Sequence, residues 1–287
     1  EKELQAAVNE CIKTSPTGDC SKGAHGPIGD WDVSGVNRMS GIFMYISNFN
    51  QDLSKWDVSV VTSMAAMFSH AFSFNQDLSK WDVSAVTNMG SMFSSVAAFN
   101  QDLSKWDVSA VTTMRAMFLV ASAFNQDLSK WDVSQVTNMV SLFDGATAFN
   151  QDLSKWDVSK VTHMASMFKS ASAFNQDVSR WDVSTVTDMM FMFRDASAFN
   201  RKICGSAWAQ SKADKASMFV GSQGSISSTE CKTVKHVLPL TTAATIATAA
   251  FRPDSKDKLR TAVKECIKTS PIGICADGPI GDWDVSV

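Results

Sequence analysis

Apolar and polar residues follow two different patterns within each short stretch of this chain. Residues 53–58 (Leu-Ser-Lys-Trp-Asp-Val) alternate apolar with polar positions, which is the period of a half-buried strand. Directly afterwards, Val61, Met64, Met67 and Phe68 have the spacing of one face of a short helix. Small residues then let the chain turn back. The pattern therefore predicts a short strand followed by a short helix.

This pair of elements recurs every 25 residues, without insertion or deletion. Such a fixed period is typical of a solenoid, in which each coil contacts only its neighbours. Burying the apolar side chains of one coil gains on the order of 10–15 kcal/mol, whereas ordering its backbone and side chains costs on the order of 30 kcal/mol. We therefore expect coils that are stable only when stacked. The tryptophans that mark the period are Trp31, Trp56, Trp81, Trp106, Trp131, Trp156 and Trp181.

The fold class predicted from this period is an α/β solenoid similar to leucine-rich repeats. It would contain about seven 25-residue coils, each a short parallel strand plus a short helix, between helical caps stapled by disulfides. A column, meaning the residues at one position of successive repeats, is then a stack of side chains. Core columns are predicted at Trp56, Trp81, Trp106, Trp131 and Trp156, and at Phe74, Phe99, Phe124 and Phe149. An alternative for the tryptophans is a stripe of aromatic platforms for glycans.

Two polar columns need an interpretation of their own. Asparagines are predicted to form an internal ladder that satisfies backbone groups at a tight corner: Asn50, Asn75, Asn100, Asn125, Asn150 and Asn175. Aspartates at positions 52 to 177 and 32 to 182 raise the question of calcium. The glycine-rich nonapeptide of calcium-binding β-rolls is missing, and a lysine stands between the two carboxylates. We therefore favour turn-capping or salt-bridged aspartates and expect no cofactor, with calcium as the alternative.

Composition narrows the class of protein. The chain has 287 residues and a net charge of −3, without a basic block that would indicate nucleic acid. No stretch reaches the roughly 20 apolar residues that span a bilayer. Because the chain opens at Glu1 without a start methionine, we interpret it as a mature or excised piece.

Six cysteines sort into three local pairs outside the coils, which predicts disulfides that staple the caps. Loops this short would each contribute roughly 2–3 kcal/mol in the chain-entropy model. Zinc is the alternative, but no Cys-x-x-Cys or nearby histidine pair supports it. Disulfides predict an extracellular or cell-surface location. The predicted pairs are Cys11–Cys20, Cys204–Cys231 and Cys266–Cys275.

The repeat Trp-Asp-Val-Ser-x-Val-Thr-x-Met-x-x-Met-Phe, as at residues 81–93, resembles that of BspA-type leucine-rich-repeat surface proteins. The similarity covers about residues 3–203 and begins again at Leu259. It implies a repeat solenoid on surface or secreted proteins, connected with adhesion or with no assigned activity. It brings no catalytic residues to transfer. The chain departs from the repeat after Asn200, where Trp208 stands two residues late.

A second, longer period is superimposed on the first. The segment from Leu259 to Ile267 matches that from Leu4 to Ile12, an offset of 255 residues. Both are expected to form amphipathic capping helices, so we interpret the chain as one unit of a longer tandem array, with a C-terminal cap that reuses the motif as the alternative. The predicted regions are a helical cap at 1–28, the seven-coil solenoid at 29–203, a degenerate exit cap at 204–237, an apolar Thr/Ala-rich linker or docking segment at 238–255, and the start of a second module at 256–287.

The sequence favours a non-enzymatic function. Its four histidines share no motif, and no phosphate-binding loop, nucleophile elbow or metal-ligand cluster is present in the sequence. We expect an extracellular structural or adhesive protein that self-associates through its repeats, with filaments as one outcome, and whose partners are copies of itself or tandem neighbours. The alternative is a recognition module for a specific protein or glycan. Ice binding through the threonine column is a third, poorer fit.

Overall fold

The computed structural model describes residues 1–227 and the backbone of residues 274–275 and 278–279. The chain divides into two compact units, Glu1–Cys231 and Lys232–Val287. The first unit begins with helix α1 (Lys2–Thr14), followed by a single 3-10 turn at Ile28–Asp30. Leu4, Val8 and Cys11 occupy one stripe of α1 and are buried, so the helix covers the first repeat with its apolar face.

Successive repeats pair in parallel, each through one backbone bridge at the same repeat position. The first bridge joins Arg38 to Ser63, and the series continues with a 25-residue step until Asp188, which pairs with Asp214. The bridged residues are Arg38, Ser63, Asn88, Thr113, Asn138, His163, Asp188 and Asp214. The repeats therefore form a stack in which each member contacts the next.

The segment predicted to be helical carries most of the hydrogen bonds between repeats. The amides of Met64, Ala66, Phe68 and His70 each donate to a carbonyl oxygen of the next repeat, at 2.8–3.0 Å. The amides of Met67 and Ser69 donate instead to the carbonyls three residues back in their own repeat, at 3.1 and 3.0 Å. Ala66 and His70 have positive φ, 55° and 62°, and each is the third residue of such a turn, as in type II turns.

The predicted helix in each repeat is therefore wrong. An α-helix uses the amides beyond its first turn internally, whereas here alternate amides are needed to hold the next repeat. A run of overlapping turns keeps the apolar spacing of Met64, Met67 and Phe68 while it frees those amides. Spacing in sequence cannot distinguish these two arrangements.

The strand predicted at residues 53–58 is also wrong, because two aspartates fold this stretch into turns. The Oδ1 atoms of Asp52 and Asp57 accept hydrogen bonds from the amides two residues ahead, at 2.8 and 3.0 Å. Trp56 and Val61 close tight turns onto the carbonyls three residues back. In the described chain, no helix or strand element lies between Asp30 and Lys202.

The stack continues beyond residue 203, where the sequence placed the end of the solenoid. Strand β1 (Lys202–Ile203) pairs in parallel with β2 (Ser225–Ile226), and helix α2 (Ser206–Gln210) lies between them. Trp208 on α2 is buried, and its Nε1 donates to the carbonyl oxygen of Val178 at 3.1 Å. Trp208 follows Trp181 by 27 residues rather than 25, and helix α2 accommodates the two additional residues. The tryptophan column therefore includes one more repeat.

In the second compact unit, the description is limited to an antiparallel pair formed by β3 (Ile274–Cys275) and β4 (Gly278–Pro279). The linker predicted at 238–255 lies outside the described residues. So does the rest of the second module predicted at 256–287.

Candidate functional site

The asparagine column bonds each repeat to the next. Oδ1 of Asn75 accepts hydrogen bonds from the backbone amide of Asn100 and from Nε2 of Gln101, both at 2.9 Å. The same Nε2 also donates to the carbonyl oxygen of Asn75, at 3.0 Å. At the end of the series, Arg201 replaces the glutamine and donates to Asn175. The ladder thus connects neighbouring repeats. The full set recurs at Asn50, Asn75, Asn100, Asn125 and Asn150.

The tryptophan column is buried and hydrogen-bonded between repeats. Nε1 of Trp106 donates to the carbonyl oxygen of Leu78 at 3.0 Å, and the same 28-residue step recurs along the stack. The six rings from Trp56 to Trp181 are at most 4% exposed. They leave no ring face open to solvent, so the alternative that these six are glycan platforms is wrong. Trp31, at the N-terminal end, is only half-buried.

Two phenylalanine columns stack their rings along the core. Within one repeat, the ring centroids of Phe93 and Phe99 lie 4.0 Å apart. Between repeats, Phe99 lies 6.1 Å from Phe74 and 6.0 Å from Phe124. Phe74, Phe99, Phe124 and Phe149 are all fully buried. These columns supply the apolar contact between repeats, and they leave no surface for a ligand.

The aspartate columns are turn caps. Asp107 accepts a hydrogen bond from the Ser109 amide at 3.0 Å, and Asp102 accepts one from the Ser104 amide at 2.8 Å. Hydrogen bonds from the serine side chain and then from its backbone amide lower the pKa of both carboxyls below the ordinary value. Within residues 1–227, no group of three or more His, Cys, Asp or Glu side chains has the placement of a metal site.

The basic column between the aspartates has no comparable structural role. Lys55 pairs with Asp30 at 2.6 Å, at the N-terminal end of the stack. The rest of the column is exposed and forms no ion pair with any described residue. The local fold therefore fixes the aspartates by hydrogen bonds, whereas the cations act on it only through space: the charges of Lys105 and Lys130 contribute to the lowered pKa of Asp102. The members of this column are Lys55, Lys80, Lys105, Lys130, Lys155 and Arg180.

The threonine column also bonds repeats together. The backbone amide of Thr112 donates to the carbonyl oxygen of Thr87 at 2.9 Å, and its Oγ1 donates to the same oxygen at 3.1 Å. The bond recurs at every step from Thr62 to Thr187. Each hydroxyl hydrogen is therefore already used within the stack.

A cluster of exposed aromatic residues interrupts the repeats at the N-terminal end. The rings of Tyr45 and His70 are tilted by 35° with centroids 4.7 Å apart, and His70 meets Phe72 edge-on at 5.9 Å. Tyr45 is 66% exposed, Phe72 47% and the neighbouring Met44 41%. We call Met44, Tyr45, His70 and Phe72 the aromatic cluster. Sequence reasoning missed it, although a departure from the repeat in two adjacent copies was the available signal.

The cysteine predictions have different outcomes. Cys11 and Cys20 form a disulfide, as predicted, which ties the end of α1 to the following loop. Cys204 is also disulfide-bonded, but Cys231, its predicted partner, lies outside the described residues. So do Cys266 and the side chain of Cys275. A cavity of about 440 Å³ beside the Cys11–Cys20 bond is lined by α1, His25 and Trp31, among others.

The match to a protein family follows the repeats. One family model, described as "Mycoplasma protein of unknown function, DUF285", matches residues 15–131 and again residues 114–230. The two matches together cover residues 15–230 of the 287-residue chain. The chain belongs to the DUF285 family. No curated protein and no solved structure matches it significantly.

The two DUF285 matches are offset by almost a whole number of repeats. They begin 99 residues apart (114 − 15), one residue short of four 25-residue periods. The second ends at residue 230, next to the boundary of the first compact unit at Cys231. The DUF285 region is thus a tandem array of repeats that coincides with the stack. No helix of the described part is long and apolar enough to cross a membrane.

Proposed function

We propose that this chain is a non-enzymatic structural or adhesive module of an extracellular or cell-surface protein, a solenoid that associates with copies of itself through its repeated surface. The observation that carries the proposal is the basic column. Its members recur at every repeat and are exposed, yet from Lys80 onward they contribute no ion pair to the described fold. A charge that recurs in each repeat, stays exposed and closes no local ion pair is available to a partner of the same period.

A second copy of the stack is such a partner, because its columns have the same period. Each repeat offers one cation between two carboxylates, so a neighbouring copy can place its cations against the aspartates of the first. An exposed ion pair contributes only about 0–1 kcal/mol. Pairs aligned along several repeats act together, since the first contact raises the effective concentration of the rest. Association is therefore expected to depend on the number of repeats.

The disulfides support the extracellular part of the proposal, because such bonds persist in oxidising compartments. The resemblance to BspA-type repeats supports a surface location and adhesion. Calcium between aspartate columns is not needed for this function, since the carboxylates already cap turns.

Electron microscopy of the native full-length protein tests the proposal directly, with filaments or lateral bundles as the expected result. Sedimentation velocity then compares two variants in which five lysines (55, 80, 105, 130 and 155) are replaced together. We expect glutamate to abolish assembly and arginine, the matched control, to preserve it. Discrete monomers of the unmodified protein at all concentrations would contradict the proposal and favour the alternative, a recognition module for one protein or glycan.

A further inference from the structure

The aromatic cluster adopts a backbone conformation that disfavours its own side chains. Tyr45 and His70 have φ values of 65° and 62°, in the left-handed region that bulky residues rarely adopt. Later repeats have no aromatic ring at this position, which is Ser95, Val120, Gly145, Ser170 and Asp195. Tyr45 is two-thirds exposed, so burial does not compensate the strain. A strained, exposed aromatic residue points to a role outside the fold.

The repeat segments that carry the cluster are free of formal charge. Residues 39–51, 64–76 and 89–101, which form this side of the first three repeats, contain no Asp, Glu, Lys or Arg. Every later repeat has at least one charged residue in the equivalent stretch: Arg115, Asp144, Lys169, and in the last one Arg194, Asp195 and Arg201. These segments offer a charged partner no opposite charge, whereas an uncharged partner can bind to them without removing water from a charged side chain.

The cluster offers ring faces together with unused polar groups. The Ser69 hydroxyl contacts Nδ1 of His70 at 2.9 Å and fixes the imidazole ring. The Tyr45 hydroxyl and Nε2 of His70 have no hydrogen-bond partner among the described residues. A sugar ring has an apolar C–H face that packs on an aromatic ring, and hydroxyls that both donate and accept.

We propose that the aromatic cluster is a binding site for a neutral saccharide. The sugar packs its C–H face on Tyr45 and Phe72 and bonds to the Tyr45 hydroxyl and to His70 Nε2. The site is too small for a stable protein interface, which takes about 20–30 residues from each partner. This inference is independent of self-association, because the cluster shares no residue with the basic column.

Tyr45 makes the test direct, since it is the single tyrosine of the chain. Incorporation of 3-fluorotyrosine gives one ¹⁹F resonance at the centre of the cluster. The probes are cellohexaose, chitohexaose, mannohexaose and maltohexaose, with an oligogalacturonate of the same length as the charged comparison. We expect a saturable shift of the resonance with at least one neutral hexasaccharide, and at least tenfold weaker binding of the oligogalacturonate.

Variants separate binding from folding, and the chain itself supplies the replacements. His70→Ser and Phe72→Ala introduce the residues that stand at the same positions one repeat later, Ser95 and Ala97. We expect each to weaken saccharide binding at least tenfold without lowering the melting temperature. The matched control is Val120→Ser, an exposed apolar residue of the Tyr45 column outside the cluster, which should leave binding unchanged.

Three results would overturn the inference. The first is that none of the four neutral hexasaccharides shifts the resonance at millimolar concentration. The second is that His70→Ser and Phe72→Ala bind as well as the unmodified protein. The third is a resonance that moves with protein concentration alone, which would assign the cluster to contact between copies. Loss of self-association in the lysine variants, by contrast, leaves the saccharide titration unaffected.

Discussion

Replacing Trp106 with phenylalanine should destabilise the stack by a calculable amount. The Trp106 indole is buried, and its Nε1 donates to the Leu78 carbonyl oxygen, which also accepts from the Trp81 amide at 3.1 Å. The carbonyl therefore keeps one partner in the variant, and the lost bond costs about 1 kcal/mol. The smaller ring leaves a void that adds about 1–2 kcal/mol. We expect a total loss of about 2–3 kcal/mol in the free energy of unfolding.

Urea unfolding followed by tryptophan fluorescence measures this loss. The matched control is Trp31→Phe, because the Trp31 Nε1 also donates to a carbonyl oxygen, that of Gly26 at 3.0 Å, but its ring is half-buried at the end of the stack. We expect the control to lose less than about 1 kcal/mol. Equal losses in the two variants would refute the reasoning, since burial and the inter-repeat bond would then not set the contribution of the column.

Three further predictions concern the repeats, the turns and the cap. Deleting residues 101–125 should give a folded protein with a lower melting temperature, because the junction preserves every column; an unfolded product would contradict this. Asp107→Asn keeps the turn acceptor but cannot titrate. Because the pKa of Asp107 is lowered in the fold, its ionised carboxylate stabilises the fold above about pH 3.8. This contribution is lost as the pH falls through the folded-state pKa. The variant should therefore melt with a weaker pH dependence between pH 5 and 2. Replacing Cys11 and Cys20 together by serine should cost about 2–3 kcal/mol in urea unfolding, and an unchanged midpoint would contradict the stapling role.

The period and the core residues were accessible from the sequence, because both depend only on which positions are apolar. Trp106 and Phe99 are buried, as the repeat columns predict. The secondary structure was not accessible, since Met64, Met67 and Phe68 lie on one side of the chain in a helix and in a run of tight turns alike. The left-handed backbone at Ala66 and His70 distinguishes the turns from a helix. Neither residue type predicts this conformation, whereas glycine would.

The candidate sites were predicted unevenly for a similar reason. Asp52 and Asp57 are each followed two residues later by serine, which is a local signal for a turn, and turn-capping was among the interpretations. The aromatic cluster depends on two neighbouring repeats that bring Tyr45 and His70 to 4.7 Å. That contact exists only once the register of the stack is known, so residue-by-residue reasoning did not find it.

The direction of the bonds between repeats has a mechanical consequence. They run from each repeat to the next, so tension along the stack would load them in series, and the weakest junction would open first while the others remain closed. Each opened repeat would release 25 residues, which extend to about 85 Å at roughly 3.4 Å per residue. A chain built this way would lengthen in equal steps under shear and absorb work at each step, while the loop between Cys11 and Cys20 would stay closed by its disulfide.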